Sequence, residues 1–308
     1  MDYEKIVLVT RKTRLEGLIE RFNTRGQAKF YLEHSGGSFD IFEREHETYM
    51  VALGRLRSDL QQLLNFQEIE RSFLPNFFFG ESDIVVTLGI DGLVVNTAKY
   101  LNEQPLVAVN PDPAHIDGIL LPFEVERASR AVEQVLKERA KIRQISMAEV
   151  VLNDGQSLLG FNDLFVGARS HVSARYLIQV GKQREHHSSS GIIVSTGAGC
   201  TGWLSSMFNM ANGMLASFST AEQSLPALKL DWEAEKLVFV VREPFVSKTS
   251  QAGLVCGMVS ADAPLVVESE MPEGGVIFSD GVETDFLAFN AGSTATIGLA
   301  HKKTRLVV

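Results

Sequence analysis

The chain has 308 residues, 45% of them hydrophobic, and carries 38 Asp and Glu against 29 Lys and Arg, a formal net charge of −9. That length accommodates two domains with ample apolar material for packed cores, while the acidic balance argues against a nucleic-acid-binding face. Two cysteines, Cys200 and Cys256, give neither a disulfide framework nor zinc-ligand spacing, and no apolar run reaches the ~18–20 residues of a membrane span. With no export or transit signal in the opening residues, the sequence predicts a soluble, cytoplasmic protein without a metal site of its own.

In chain order, residues 6–9 form a short apolar run of the kind that makes a buried parallel strand. Leu15, Leu18, Ile19 and Phe22 follow at helical spacing. Gly36-Gly37-Ser38 breaks the chain before a polar helix over about 44–64. Residues 83–88 read as a second buried strand, entering a glycine-containing turn and then a helix over about 92–102. A third strand, 106–109, ends in the loop Asn110-Pro111-Asp112-Pro113, and a further helix runs from about 124 to 141. Alternating strands and helices with short turns predict a parallel sheet flanked by helices, an α/β nucleotide-binding domain over 1–141.

After Ile142 the texture changes. Strand-like runs recur at 148–152, 162–166, 174–180, 191–195, 237–241, 254–259, 264–268, 275–279, 294–298 and 304–308, separated by turn signals such as Asn153-Asp154-Gly155. Only about 200–215 looks helical. The expectation is a β-rich second domain over 142–308, whose last strand can return to the first, with a ligand cleft between the two.

Three segments carry chemistry. Gly89-Ile90-Asp91-Gly92-Leu93 sits at a strand-to-helix turn, where glycines admit close backbone approach and the N–H groups opening a helix favour phosphate oxygens; taken alone such a turn is more often only a tight turn. Asn162-Asp163, an amide beside a carboxylate at a strand start, suits a base edge or ribose hydroxyls, or else an Asx-type turn. Ser195-Thr196-Gly197-Ala198-Gly199-Cys200-Thr201-Gly202-Trp203 is a loop of small residues between a buried strand and a helix. Its amides and the Thr201 hydroxyl can hydrogen-bond a planar ligand, with the Trp203 ring as a wall or as an ordinary core aromatic.

Together these segments resemble the NAD kinase family, whose members carry a Gly-Gly-Asp-Gly-Thr turn, an Asn-Glu or Asn-Asp pair and a Ser-Thr-Pro-x-Gly-x-Thr-Ala-Tyr loop at similar spacing. The chain looks closest to the mitochondrial-type branch, through Lys12-Thr13-Arg14, the Val-Asn-x-Asp-Pro element over 109–113, the Ser-Ser-Gly lead-in to the loop, Trp203 in place of Tyr, and Arg242-Glu243-Pro244. The resemblance reaches from Ile6 to Asp280-Gly281 and the terminal strands. It implies ATP-dependent phosphorylation of the adenosine ribose 2′-hydroxyl of NAD, with Mg²⁺ accompanying ATP, in a homodimer. Asp91 is then the catalytic residue; Asn162 and Asp163 hold adenine and ribose hydroxyls; Ala198, Thr201, Gly202 and Trp203 line the dinucleotide site; Gly89 and Gly92 shape the turn facing the donor.

The turn departs from that pattern. Ile90 replaces the second glycine and Leu93 the threonine. A β-branched residue held at positive φ would cost about 1–3 kcal/mol, and a lost hydroxyl-to-phosphate bond about 1.5–3 kcal/mol. A donor-limited kinase is expected, the alternative being a catalytically impaired NAD-binding homologue on the same scaffold.

Overall fold

The computed structural model describes residues 2–218 and 224–308. The chain divides into two compact units, the first comprising residues through Arg143 together with Thr304–Val308, the second Gln144–Lys303.

In the first unit, β1 (Lys5–Thr10), β2 (Asn65–Glu70), β3 (Asp83–Leu88) and β4 (Pro105–Asn110) pair in parallel in the order β2-β1-β3-β4. A two-residue strand β5 (Phe123–Glu124) adds to the end of β4. Five of the six residues of β1 and every residue of β3 and β4 are buried, which is why these segments read as unbroken apolar runs. Alternate side chains serve alternate faces. Ile6, Leu8, Ile84, Val86, Leu88, Val107 and Val109 share one core with the buried stripes of α3 (Phe39–Gln61) and α5 (Val125–Leu136). Two helices precede α3: α1 (Arg14–Phe22), closed by a capping box between Thr13 and Glu16, and α2 (Arg25–His34), capped by Thr24. A fourth, α4 (Asp91–Ala98), follows β3 directly.

The sequence places α3 too late and α5 too long. α3 begins five residues earlier than expected because Phe39 is needed in the small core with Leu15 and Leu32. α5 stops at Leu136, where Glu138 takes a left-handed φ of 53°. α2 and the edge strand β2 were not foreseen.

The second unit is a β-sandwich. One sheet is antiparallel, in the order β13-β12-β11-β8-β15-β16, from β8 (Asp163–Ala168), β11 (Ile192–Ser195), β12 (Leu237–Val241), β13 (Cys256–Val259), β15 (Gly275–Ser279) and β16 (Phe286–Ala288). Facing it are β6 (Ile142–Leu152), β7 (Ser157–Gly160), β9 (Ala174–Val180), β10 (Gln183–Ser189), β14 (Leu265–Ser269) and the long β17 (Thr294–Val307). Inward residues of both layers, among them Val150, Leu164, Tyr176, Val194, Phe239, Val267 and Ile297, form one core. The expected strands at 294–298 and 304–308 are one strand, β17, whose final residues Arg305 and Leu306 pair in parallel with Pro105 and Leu106 of β4. Among the described residues the one α-helix of this unit, α6 (Trp203–Phe218), starts at the end of the small-residue loop. Among the described residues no helix is long and apolar enough to cross a membrane.

Candidate functional site

The candidate residues fall into two groups, each within one unit. In the first unit, Gly89, Asp91 and Gly92 lie together where β3 hands over to α4, at the carboxyl ends of the parallel strands, the position that open α/β sheets use for ligands. The strand ends are tied to one another. Gly89 N donates to Val109 O at 3.2 Å. Tyr49 of α3 accepts from Arg11 N and donates through its hydroxyl to Leu88 O, both at 3.1 Å. Burial pushes the Tyr49 hydroxyl up to about 12, so it stays protonated and keeps that donor.

Ile90 has φ −101° and ψ 168°, ordinary extended backbone. The cost anticipated for a β-branched residue at positive φ is therefore absent. Ile90 is 43% exposed, whereas Leu93 is 1% exposed and packs its Cδ2 within 2.9 Å of where a Cβ on Gly89 would sit. Position 93 thus faces the packed interior in this chain. Gly92 has open surroundings: a Cβ there would meet only Ile90 Cδ1, at 4.0 Å. The Asp91 carboxylate is half-buried at the first turn of α4, and its Oδ1 accepts from Leu120 N at 2.8 Å. One oxygen is thereby fixed in place, which orients the group.

Beside this turn is a cavity of about 330 Å³ walled by residues of the first unit, including Arg11, Arg14, Arg44, Glu45, Ile90 and His115. Glu45 accepts from Arg11 Nη2 at 2.9 Å and from Arg14 Nε at 2.7 Å. Burial works to raise Glu45, but the hydrogen bonds from Arg14 and Arg11 outweigh it and hold the carboxyl below its usual range.

In the second unit, Asn162 and Asp163 lie at the start of β8 beside the loop that leaves β11, and Ser195 pairs with Asp163 across the two strands. The loop is built on the backbone of 161–162. Thr196 N donates to Asn162 O at 2.9 Å, the Thr196 hydroxyl to Phe161 O at 2.6 Å, and Gly199 N to Thr196 Oγ1 at 3.2 Å. A Cβ on Gly197 would fall 1.9 Å from Asp231 O, and one on Gly199 2.0 Å from Asn162 O, so only glycine fits at either position. Residues Ala198–Thr201 form a single tight turn that presents Thr201 and Gly202 to solvent, with Ala198 half-buried.

Asp280 completes the arrangement. Its carboxylate accepts from Asn162 N at 2.7 Å and from Phe161 N at 3.1 Å, with Asp163 N at 3.4 Å. Asp163 is 7% exposed. Burial, and then the neighbouring charge of Asp280, raise its carboxyl to about 7. A carboxyl of this kind can exchange hydrogen bonds with the hydroxyls of a ligand. Trp203 is half-buried and already engaged: its ring stacks on Phe165 at 5.8 Å, with the Arg242 guanidinium 5.2 Å above it.

Arg11, Tyr49, Leu120 and Thr196 were not singled out as site residues in the sequence. Asp280 could have been, as the acid of a Ser-Asp-Gly turn closing a strand. The others act through backbone bonds that no side-chain pattern encodes. Among the described residues no group of three or more His, Cys, Asp or Glu side chains is placed to hold a metal ion.

No protein-family model matches the chain. It is 26% identical over 129 residues to the NAD kinase of Clostridium kluyveri, covering 39% of this chain and 44% of that protein. It is 24% identical over 167 residues to the NAD kinase of Saccharolobus islandicus, covering 54% and 57%. The chain thus spans about half the length of the curated relatives it matches. Among solved structures, yeast NADH kinase complexed with NADH superposes with a TM-score of 0.60 at 13% identity, covering 100% of this chain and 84% of that one. An NAD kinase from Archaeoglobus fulgidus in complex with ATP gives 0.58 at 16%, covering 98% and 93%. These structural likenesses place the fold.

Proposed function

We propose that this chain is a member of the NAD kinase family, a reading supported by its likeness to curated NAD kinases, and that it transfers the terminal phosphoryl group of ATP to the 2′-hydroxyl of the adenosine ribose of NAD, giving NADP and ADP. The observation that carries the reading is Asp91: a carboxylate at the head of α4, fixed through one oxygen by Leu120 N, beside a glycine where a Cβ would meet only Ile90 Cδ1, at 4.0 Å.

In the reaction, the ribose 2′-oxygen forms a bond to the γ-phosphorus as the bond from that phosphorus to the bridging oxygen of ADP breaks, and the hydroxyl proton passes to Asp91. A carboxylate is far too weak a base to remove that proton beforehand. Asp91 orients the hydroxyl and takes the proton during transfer. Gly89 and Gly92 face the phosphate donor. Asn162 and the buried Asp163 receive adenine and ribose hydroxyls, and Ala198, Thr201, Gly202 and Trp203 line the dinucleotide. Mg²⁺ would enter as part of the donor substrate, needing few protein ligands, and would neutralise charge on the phosphoryl oxygens.

Within the family we assign the chain nearest to the mitochondrial-type branch, on the segments Lys12-Thr13-Arg14 and Arg242-Glu243-Pro244. We further propose a homodimer acting in the cytoplasm. The test is NADP formation from ATP, Mg²⁺ and NAD, read by an NADP-specific dehydrogenase, with NADH run in parallel and NAD binding measured by calorimetry. Turnover is expected. NAD binding with no turnover from any donor would replace this reading with that of a non-catalytic binding protein. A light-scattering mass of one chain at micromolar concentration would remove the homodimer.

A further inference from the structure

We propose that Arg242 is a positioning residue for the dinucleotide: its guanidinium holds the Trp203 ring against Phe165, and so sets the wall that the 195–203 loop offers to the ligand. This rests on the reading above that the loop receives NAD, though not on phosphoryl transfer.

Phe165 is the fixed member of the cluster. It is 5% exposed, a Cβ on Gly167 would fall 2.5 Å from its Cζ, and one on Gly191 would fall 2.7 Å from its Cε2. The ring thus fills a cradle left by two glycines, and Phe278 stacks on it at 4.7 Å. Trp203, half-buried at the head of α6, stacks on Phe165 at 5.8 Å with the ring planes 10° apart. The Arg242 guanidinium carbon is 5.2 Å from the centre of the Trp203 ring and 5.9 Å from that of Phe165. These three separations make a nearly equilateral triangle. A guanidinium on the far face of Trp203 would stand from Phe165 at nearly the sum of the other two, so Arg242 bridges both rings instead. A planar, delocalised cation can lie against two rings at once, which the compact ammonium of a lysine does less well.

The chain around Arg242 is tied down on both sides. Arg242 N donates to Gly191 O at 2.8 Å, Ser190 N to Arg242 O at 2.9 Å, and Arg242 Nη1 to Ser190 O at 3.4 Å. Glu243, next in the chain, takes a left-handed φ of 48° although it is not glycine and precedes Pro244, a position that favours extended backbone. Its carboxylate accepts from the Ser190 hydroxyl, which leaves the guanidinium to the rings. Backbone strain of this kind persists where the surrounding structure over-determines it, and it clusters at ligand sites. Here it turns the chain out of β12 directly after the arginine that meets Trp203.

The wild type, Arg242→Gln and Arg242→Lys are compared for NAD affinity by calorimetry, for kcat and the separate KM values of NAD and ATP, and for thermal unfolding. Acrylamide quenching is read in a Trp232→Phe background, where Trp203 is the one tryptophan left. Arg242→Gln should weaken NAD binding and raise its KM on the order of tenfold, with kcat and the KM for ATP within about twofold. Trp203 should become more open to the quencher, and Arg242→Lys should recover part of both effects. In a Trp203→Leu background, adding Arg242→Gln should weaken NAD no further. Unchanged NAD affinity in Arg242→Gln with Trp203 freed overturns the proposal. So does weakened affinity with unchanged quenching, which makes Arg242 a direct ligand contact. Parallel losses in kcat, both KM values and unfolding temperature, in the Gln and Lys variants alike, overturn it in favour of a purely structural arginine. If NADP never forms, yet NAD binds and the variants weaken it as stated, the kinase reading fails and the positioning role stands. If NADP forms with an unchanged KM for NAD in Arg242→Gln, the kinase reading stands and the positioning role fails.

Discussion

The glycines of the two candidate regions do different work. In the second unit, Gly197 and Gly199 are glycine because the chain folds onto itself: a methyl group at either would lie about 2 Å from a backbone oxygen. In the first unit, a Cβ on Gly92 would meet only Ile90 Cδ1 at ordinary contact distance; the residue has no positive φ and sits in the first turn of a helix where alanine would be the better residue. A glycine that the fold demands says little about ligands. One that the fold does not demand, at a helix start beside an oriented carboxylate, marks a surface kept bare. The 195–202 loop is thus a built object, and the 89–92 turn is an open one.

The sharpest way to break this contrast is at Asp91. Asp91→Asn keeps the shape and one acceptor oxygen but cannot take up the ribose proton. Turnover should fall roughly 10²–10⁴-fold, with calorimetric NAD affinity within a few-fold; turnover near that of the wild type would remove the catalytic role. Gly199→Ala tests the built loop. Forcing a methyl group against Asn162 O should lower unfolding stability by about 3 kcal/mol, read from the urea midpoint, and a midpoint close to that of the wild type would mean the loop is looser than described.

Asp163 gives a pH test. Its folded-state carboxyl is raised from 3.8 to about 7, so between those values the folded chain holds a proton that the unfolded chain has released. Stability should therefore fall as pH rises through that window and level off above it, with a slope approaching about 1.4 kcal/mol per pH unit from this group. Subtracting the profile of Asp163→Asn isolates the contribution; parallel profiles for the two proteins would place Asp163 in contact with water. The smallest expected effect is at Gly92. Gly92→Ala should stabilise the fold by about 0.4–1 kcal/mol while raising the KM for the donor. A gain in stability with an unchanged KM would show that the bare surface serves no ligand.

Much of the fold was legible because burial writes itself into hydropathy. β1, β3 and β4 are buried on both faces and appear as apolar runs, and the change to β-rich texture after Ile142 was clear. What was not legible is structure specified by neighbours. β10, Gln-Arg-Glu-His-His-Ser-Ser, buries only His187 and Ser189, and it is a strand because β9 turns back on it through Gly181 at φ 56°. β2 is a half-exposed edge, and α2 buries only Ala28 and Leu32, so neither has a continuous apolar signal. At the site, the motif glycines, Asp91 and Asn162-Asp163 could be found by pattern. The φ of Ile90, the inward direction of Leu93 and the three backbone bonds accepted by Asp280 depend on chain path, which pattern does not encode.

The strand β17 has a consequence for the order in which the protein is made. Its residues 304–308 belong to the first unit, where Leu306 and Val307 are buried and Val308 N donates to Lys141 O at 2.9 Å. As the chain leaves the ribosome, residues 1–143 emerge with β5 covering only Val109 and Asn110 on that side of β4, and Pro105 and Leu106 wait for the whole second unit to be synthesised before β17 pairs with them. Throughout that interval the first part of β4, apolar and not covered by β5, offers an unpaired edge to any other nascent strand. A fragment ending at Arg143 should accordingly sediment as aggregate, and adding a peptide of residues 300–308 should recover soluble material. A fragment that is monomeric without the peptide would show that the first unit folds before its last strand arrives.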